Sequence, residues 1–315
     1  MKNHTNYSDL FCKFIVAATL GLLIVLGVID QTKRSVPVTP ESAREQSKPQ
    51  PAEPEPGNRL EQEQHFGDYT VRVYRNKAQN ESTLQIFKGK KLVHRDENVR
   101  FLLGHWPEAE KYNHLIPIGK DITGRGIPNL VVASYSGGAH CCIGYNVFEI
   151  GKVFLEVDFI VGMHDFSSHF EKRKGEKGLL FISSDFPFAY WKTGFAQSPA
   201  EDVILRFCKG KYRLADDLMR KPSPSKEKLQ QMAAKILEVK VKSIDDLPPQ
   251  LWGDMLDLIY AGNAASAWKL FDLAWPKSIT GKKKFLREFK EQLASGQYWD
   301  QVKLIIEGKP VCRQQ

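Results

Sequence analysis

Residues 14–29, FIVAATLGLLIVLGVI, carry no charge. A helix of a water-soluble fold keeps a polar face, and this run has none, so a bilayer suits it better than a core. Extended back to Phe11 it gains Cys12 and Lys13, and its nineteen residues at about 1.5 Å each span roughly 28 Å, close to the hydrocarbon thickness of a membrane. Lys13 lies near one end, where its amine reaches the headgroups. The following Asp30, Gln31, Thr32, Lys33 and Arg34 offer no small-residue cleavage site, and Cys12 precedes the run, so a lipoprotein box is absent. The reading is an uncleaved transmembrane anchor at residues 11–29. Lys2 and Lys13 before it and Lys33, Arg34, Arg44 and Lys48 after it leave the positive-inside rule balanced. A short N-terminal tail usually stays inside. That places a single-pass protein in a bacterial inner membrane, with the bulk of the chain in the periplasm.

Six prolines fall within residues 31–60, among Glu, Ser, Gln and Lys. Such a composition buries too little apolar surface to offset ordering entropy, so 31–64 reads as a Pro-rich disordered spacer. Net charge is +8, but Lys+Arg exceed Asp+Glu by only one in residues 1–60, two in 61–220 and five in 221–315. So thin a spread is a solvated surface, and it argues against a nucleic-acid partner.

From Tyr69 the apolar period becomes two: Tyr69, Val71 and Val73 share one face, and Thr70, Arg72 and Tyr74 the other. Runs on either side of Gly89 read as a hairpin. Further strands are expected at 129–134, 145–150, 153–159, 179–182, 203–208 and 212–215, with tight turns at Gly151 and Gly210. No helical stripe longer than two turns appears between 66 and 215. Many short strands with turn signals argue an antiparallel meander, propeller-like or sandwich-like.

The most informative local feature is the loop KDITGRGIPNLVV at 120–132. A D-x-[ND]-x-D-G loop wraps oxygens around Ca²⁺. Here Asp121 supplies one oxygen and Thr123 a weak second, while Arg125 stands where a carboxylate is needed. A guanidinium there opposes a cation, so no metal is expected; Arg125 is expected to face solvent or to pair with Asp121. The loop-strand run 121–132 is similar to the signature of FG-GAP and VCBS-type repeats, found in propeller blades of secreted and surface proteins. Followed by Ser136-Gly137-Gly138-Ala139-His140-Cys141-Cys142, it resembles a group of bacterial extracytoplasmic proteins that carry this SGGAHCC run. Segments 185–191, 198–199 and 251–276 also look matched, so the resemblance covers roughly residues 115–300. It carries over no activity. The chain departs from the repeat at Arg125 and Asn129, where acidic residues are usual. The loop 171–178, EKRKGEKG, reads as a decayed second copy.

Three chemistries compete at 136–142. Ser136 or Cys141 could be a nucleophile with His140 as base, but adjacent strand residues point to opposite faces and no third orienting group is evident. Zinc needs a C-x₂₋₄-C or H-x₃₋₅-H spacing, and the pair His164 and His169 lacks an H-E-x-x-H motif. A disulfide is the simpler use. Outside the cytoplasm Cys141, Cys142, Cys208 and Cys312 allow three pairings, with a leaning toward one that involves Cys142.

Phe186, Phe188 and Tyr190 read as one face of a strand, with Trp191 and Phe195 nearby; a core role outweighs stacking of a sugar or peptide. Pro222 to Ser225 make a second break. Beyond it, apolar spacing predicts helices around 229–237, 251–259, 267–274 and 285–293, and a short last one from Tyr298. The second and third resemble a single TPR-like hairpin at Gly262, but without a repeat an ordinary helical cap on the β domain is the simpler reading.

The expected architecture is α+β: anchor 1–30, linker 31–64, antiparallel β domain 65–221 and helical domain 222–315. The expected function is a membrane-anchored, non-catalytic binding or scaffolding protein without a cofactor. An envelope protein or cell-wall glycan would be met through Asp121, Arg125, Ser136, Gly137, Gly138 and His140. The alternative is an envelope hydrolase using His140 with Ser136 or Cys141.

Overall fold

The computed structural model describes residues 57–107, 116–138 and 143–313. The expected anchor, nearly all of the linker, and Ala139, His140, Cys141 and Cys142 lie outside the described residues. Among those described, no helix is long and apolar enough to cross a membrane.

Among the described residues, twelve strands form three antiparallel sheets of four, each a meander of chain neighbours. The first holds β1 (Arg59–Phe66), β2 (Tyr69–Asn76), β3 (Glu81–Lys88) and β4 (Lys91–Asn98) in sequence order. The second holds β5 (Arg100–Leu103), β6 (Asn129–Tyr135), β7 (Ile143–Ile150) and β8 (Phe154–Met163). The third holds β9 (His169–Glu171), β10 (Leu180–Asp185), β11 (Glu201–Cys208) and β12 (Lys211–Leu214). β1 starts inside the stretch that composition gives to the linker, because the last proline is Pro56 and RLEQEQHF is free to pair. It is an exposed, charged edge strand, which discourages pairing with another chain.

The period of two places the second sheet between the others. Leu130, Val132 and Phe148 pack with Val71, Val73, Leu84 and Ile86 of the first sheet. Val131, Ala133, Tyr145 and Val147, on the opposite face, join Phe170, Phe181, Val203 and Leu205 of the third. Every residue of β7 is buried for this reason. The Tyr145 ring meets Phe181 edge-on with centroids 4.9 Å apart, and its hydroxyl donates to the Ser168 carbonyl at 2.9 Å.

A single helical turn, α1 (Asp216–Met219), leads into α2 (Lys226–Leu237), α3 (Pro249–Tyr260), α4 (Ala264–Ala274), α5 (Lys282–Ala294) and α6 (Trp299–Ile306). Ser225 caps α2 by accepting from the Lys228 amide at 3.2 Å. Pro249 stands at the start of α3, where a missing N–H costs nothing. Gly262 turns the chain between α3 and α4 with φ +80°. The apolar faces of these helices do not form a core of their own. Leu251, Trp252, Met255 and Phe289 belong to the same buried cluster as Val203 and Leu205, so the helices cap the third sheet.

Candidate functional site

The Asp121 loop closes on itself. Asp121 Oδ1 accepts from the Gly124 amide at 2.8 Å and the Thr123 hydroxyl at 3.2 Å, and Oδ2 accepts from the Gly126 amide at 2.7 Å. N–H donors thus occupy the carboxylate where a cation would be bound in the calcium version. Arg125 neither faces solvent alone nor pairs with Asp121: it pairs with Glu149 of β7 and lies over the Phe207 ring, 5.4 Å from its centroid. Glu149 is buried and needs a cation, which decides the matter. Asn129 is also explained. Its Oδ1 accepts from the Ile122 and Thr123 amides at 2.9 and 3.3 Å while its Nδ2 donates to the Phe148 carbonyl at 3.3 Å, a double role no carboxylate can fill.

The second loop packs directly on the first. A Cβ at Gly124 would lie 2.5 Å from the Gly178 amide nitrogen, and one at Gly178 would lie 2.4 Å from the Ile122 carbonyl oxygen. The Tyr212 hydroxyl donates to that carbonyl at 3.0 Å. In loop 171–178 the Lys172 ammonium reaches the carbonyls of Glu176, Lys177 and Gly178. The chain's own cation holds the turn. Among the described residues no group of three His, Cys, Asp or Glu side chains converges as a metal site. Asp121→Ala is expected to cost about 1–3 kcal/mol through its lost charge-assisted bonds, and millimolar calcium to leave the melting temperature of both proteins unchanged. A calcium-dependent rise confined to wild type would show that the loop takes a metal.

Ser136, Gly137 and Gly138 lie at the other end of β6. Its seven residues, at about 3.3 Å each, separate them from the Asp121 loop by roughly 20 Å. The six residues expected to share one binding face are therefore not brought together: Asp121 and Arg125 are at one end, Ser136, Gly137 and Gly138 at the other, and His140 is outside the described residues. Ser136 and Gly137 are exposed. Gly137 has φ +92°, and a Cβ there would meet Val99 at 3.1 Å. Tyr135 donates its hydroxyl to the Gly138 carbonyl at 2.9 Å.

What this end does hold is a chain of aromatic rings. Tyr135 and Trp106 contact Phe166 with centroids 6.0 and 5.7 Å apart. Phe166 meets His164 at 5.9 Å, His164 meets Phe195 at 5.2 Å, and Phe195 meets Tyr190 at 5.5 Å and Phe186 at 6.0 Å. Tyr190 is 55% exposed. Arg100 lies 5.9 Å from the Trp106 centroid, and the buried Trp106 Nε1–H finds no acceptor among the described residues.

The backbone beneath is strained. Among the described residues, five non-glycine residues have positive φ: Asn80, Met163, Tyr190, Lys192 and Lys209. Asn80 and Lys209 sit in hairpin turns, where αL is the ordinary solution. Met163 (φ +52°), Tyr190 (φ +61°) and Lys192 (φ +54°) are not hairpin residues: Met163 precedes His164, Tyr190 is itself one of the rings, and Lys192 follows two residues later. Such strain, of order 1–3 kcal/mol each, concentrates where function requires a fixed geometry. Hydrogen bonds hold it: the Tyr190 amide donates to Ser198 Oγ at 2.9 Å, and Asp165 accepts from the Ser167 amide at 3.0 Å and from the Ser184 hydroxyl at 3.1 Å.

Residues 186–190 thus form a turn, not the expected strand, since Pro187 cannot continue the ladder. The turn sorts the aromatics. Phe188 is buried and Trp191 half-buried against the helices, 4.9 Å from each other and 4.9 and 6.3 Å from Phe289. Tyr190 is exposed, and Phe186 and Phe195 are half-buried beside it. His164 and His169 separate: one joins the rings, while the other is buried on β9 with Nδ1 2.9 Å from the Ser167 carbonyl. Trp106 and Phe166 carried no motif in the sequence, and only the folded chain brings them in.

Comparison with family models, with curated proteins and with solved structures finds no match to this chain.

Proposed function

We propose that the chain is a membrane-anchored, extracytoplasmic, non-catalytic binding protein whose aromatic surface takes a cell-wall glycan. The observation that carries this reading is the coincidence of three strained residues with a half-exposed row of rings beside the SGG turn. Rings present flat apolar faces suited to the C–H faces of sugars, and Asp165, Ser167 and Ser184 supply polar groups beside them. Support for the anchor comes from the uncharged run at residues 14–29, and support for an oxidising compartment from the Cys208–Cys312 bridge. The three stacked meanders, with an FG-GAP-like loop leading into β6, fit successive blades of a propeller-like arrangement.

The test uses the full chain in detergent with purified peptidoglycan sacculi. Wild type is expected to co-sediment, and Tyr190→Ala to bind about tenfold more weakly, the equivalent of ~1.4 kcal/mol, with an unchanged melting temperature because the side chain is exposed. Equal sedimentation of the two proteins, or none of either, would overturn the glycan reading. In-cell crosslinking through position 190 to a single envelope protein would replace the glycan with that protein.

A further inference from the structure

The hydroxyls of Ser223 and Ser266 meet at 3.1 Å, and Asn263 Nδ2 donates to the Lys221 carbonyl at 3.0 Å, so α2 and α4 begin side by side. Leu229, Ala233 and Ile236 of α2 belong to the same buried cluster as Ala267, Leu270 and Ala274 of α4. At 12 and 11 residues, the two helices therefore also finish side by side. α5 starts at that same end. A Cβ at Gly281 would lie 3.1 Å from Ile244 Cδ1, and the Lys282 ammonium pairs with Asp272 at 2.9 Å.

Seven large apolar side chains are exposed among the described residues, and three of them share this end: Leu237 at 43%, Val239 at 46% and Leu273 at 44%. Val241, Ile244 and Ile279, in the same two stretches, are partly buried against the core. Residues 235–246 and 272–284 together hold seven lysines against four acids. Lys235, Lys240, Lys242, Lys277, Lys283 and Lys284 are exposed. Two of the acids are already engaged, Asp272 by Lys282, and Asp246 by the Ser243 hydroxyl and the Lys242 and Ser243 amides. A single exposed leucine is ordinary, but an apolar cluster rimmed by cations marks a contact surface.

We propose that this end of the helical cap rests on an anionic bilayer, with Leu237, Val239 and Leu273 entering the headgroup layer and the lysines meeting lipid phosphates. The contact rests on the membrane anchor of the proposed function and adds a second, reversible attachment to it. Residues 30–56 separate the expected anchor from the first described residue, and these 27 residues reach roughly 90 Å when extended. That exceeds three sheets and a helical layer stacked at about 10 Å each. A tethered domain meets the bilayer at high effective concentration, so a weak surface attraction is enough. A protein partner fits less well. Three half-exposed side chains fall far short of the roughly 800 Å² per partner of a stable protein interface, and the cores of such interfaces are depleted of lysine. A bilayer demands no matching shape and suits lysine, whose stem lies along apolar surface while its ammonium reaches a phosphate.

The full chain is dialysed from detergent into vesicles of phosphatidylcholine, alone or with about one-third phosphatidylglycerol. Flotation with the neutral vesicles reports the anchor, and hydrogen exchange in 235–244 and 272–284 reports the end of the cap. Exchange there is expected to be about tenfold slower on anionic than on neutral vesicles. The difference should vanish in the triple variant Lys240→Glu, Lys242→Glu, Lys277→Glu and in the double variant Val239→Ser, Leu273→Ser. Both should keep the melting temperature of wild type, since every altered side chain is exposed. Should the triple variant not fold, about 0.5 M sodium chloride screens the same charges in wild type. Flotation with both vesicles and equal exchange on both would overturn the bilayer contact and leave the anchor. Flotation with anionic vesicles alone would overturn the anchor and keep the contact, and flotation with neither would overturn both. Exchange as slow in detergent micelles as on anionic vesicles would overturn the contact too, and give the patch to a second copy of the chain.

Discussion

Arg206→Ala is expected to lower stability by about 3–5 kcal/mol and the melting temperature by roughly 10 °C. Arg206 lies on β11, and its guanidinium makes two forks at once. Nε and Nη2 donate to the two Glu176 oxygens at 2.8 Å each, and Nη1 and Nη2 to the Asp217 oxygens at 2.8 and 3.0 Å. Nη1 also donates to the Cys312 carbonyl at 3.1 Å. One cation thus ties together the loop 171–178, α1, β11 and the C-terminal segment. Its removal leaves Glu176, whose side chain is only 8% exposed, as a buried anion without a partner. Asp217 is half-exposed and water replaces its loss at little cost. Arg206→Lys keeps the charge but cannot fork toward both acids, so it should recover only part of the loss. Urea unfolding of the three proteins checks this. A change under about 1 kcal/mol for Arg206→Ala would mean that Glu176 finds water or another cation.

The same residues show what the sequence could and could not disclose. Local period was enough for most elements. The alternation Tyr69, Val71, Val73 is β2, the uninterrupted apolar run at 130–133 is the doubly buried β6, and the spacings from Leu229 to Leu293 are α2 through α5. Caps and breakers such as Ser225, Gly262 and Pro276 act within a few residues of chain, so they are legible without a fold. The failures have two sources, partners distant in sequence and local breakers that outweigh an apparent period. Local reading gives Arg125 to solvent or to Asp121, four residues away, but Glu149 on the neighbouring strand is buried and takes it. The aromatic run 186–190 has strand-like spacing, yet Pro187 and the left-handed Tyr190 and Lys192 fold it into a turn that splits its rings between core and surface. The candidate site was half legible: the SGG turn and Tyr190 are visible as motif and aromatic, whereas Trp106 and Phe166 join them only through the order of the sheets.

Breaking the Cys208–Cys312 bridge is the second large effect, expected to cost about 2–5 kcal/mol. The cysteines are 104 residues apart, and their Cα atoms lie at 6.2 Å, within the range that a bridge spans. In the chain-entropy account a loop of that length removes roughly 4.7 kcal/mol of denatured-state entropy, so the upper part of the range is the expectation for Cys312→Ser. The pairing is one of the three that four exported cysteines allow, and β11 explains it: Cys208 ends the strand beside the segment that Asp216 draws in by accepting from the Val311 and Cys312 amides at 3.0 and 3.4 Å. Because Arg206 holds the same segment through the Cys312 carbonyl, the two losses share an object. The double variant Arg206→Ala, Cys312→Ser is expected to cost less than the sum of the singles, since the second change finds the C-terminal segment already loose. The bridge also bears on where the chain resides. Cells quenched in acid, denatured and treated with a thiol-reactive mass tag should yield protein in which Cys208 and Cys312 remain untagged until reductant is added. Tagging of both without reductant would place the chain in a reducing compartment, and would remove the bridge as support for the proposed extracytoplasmic location.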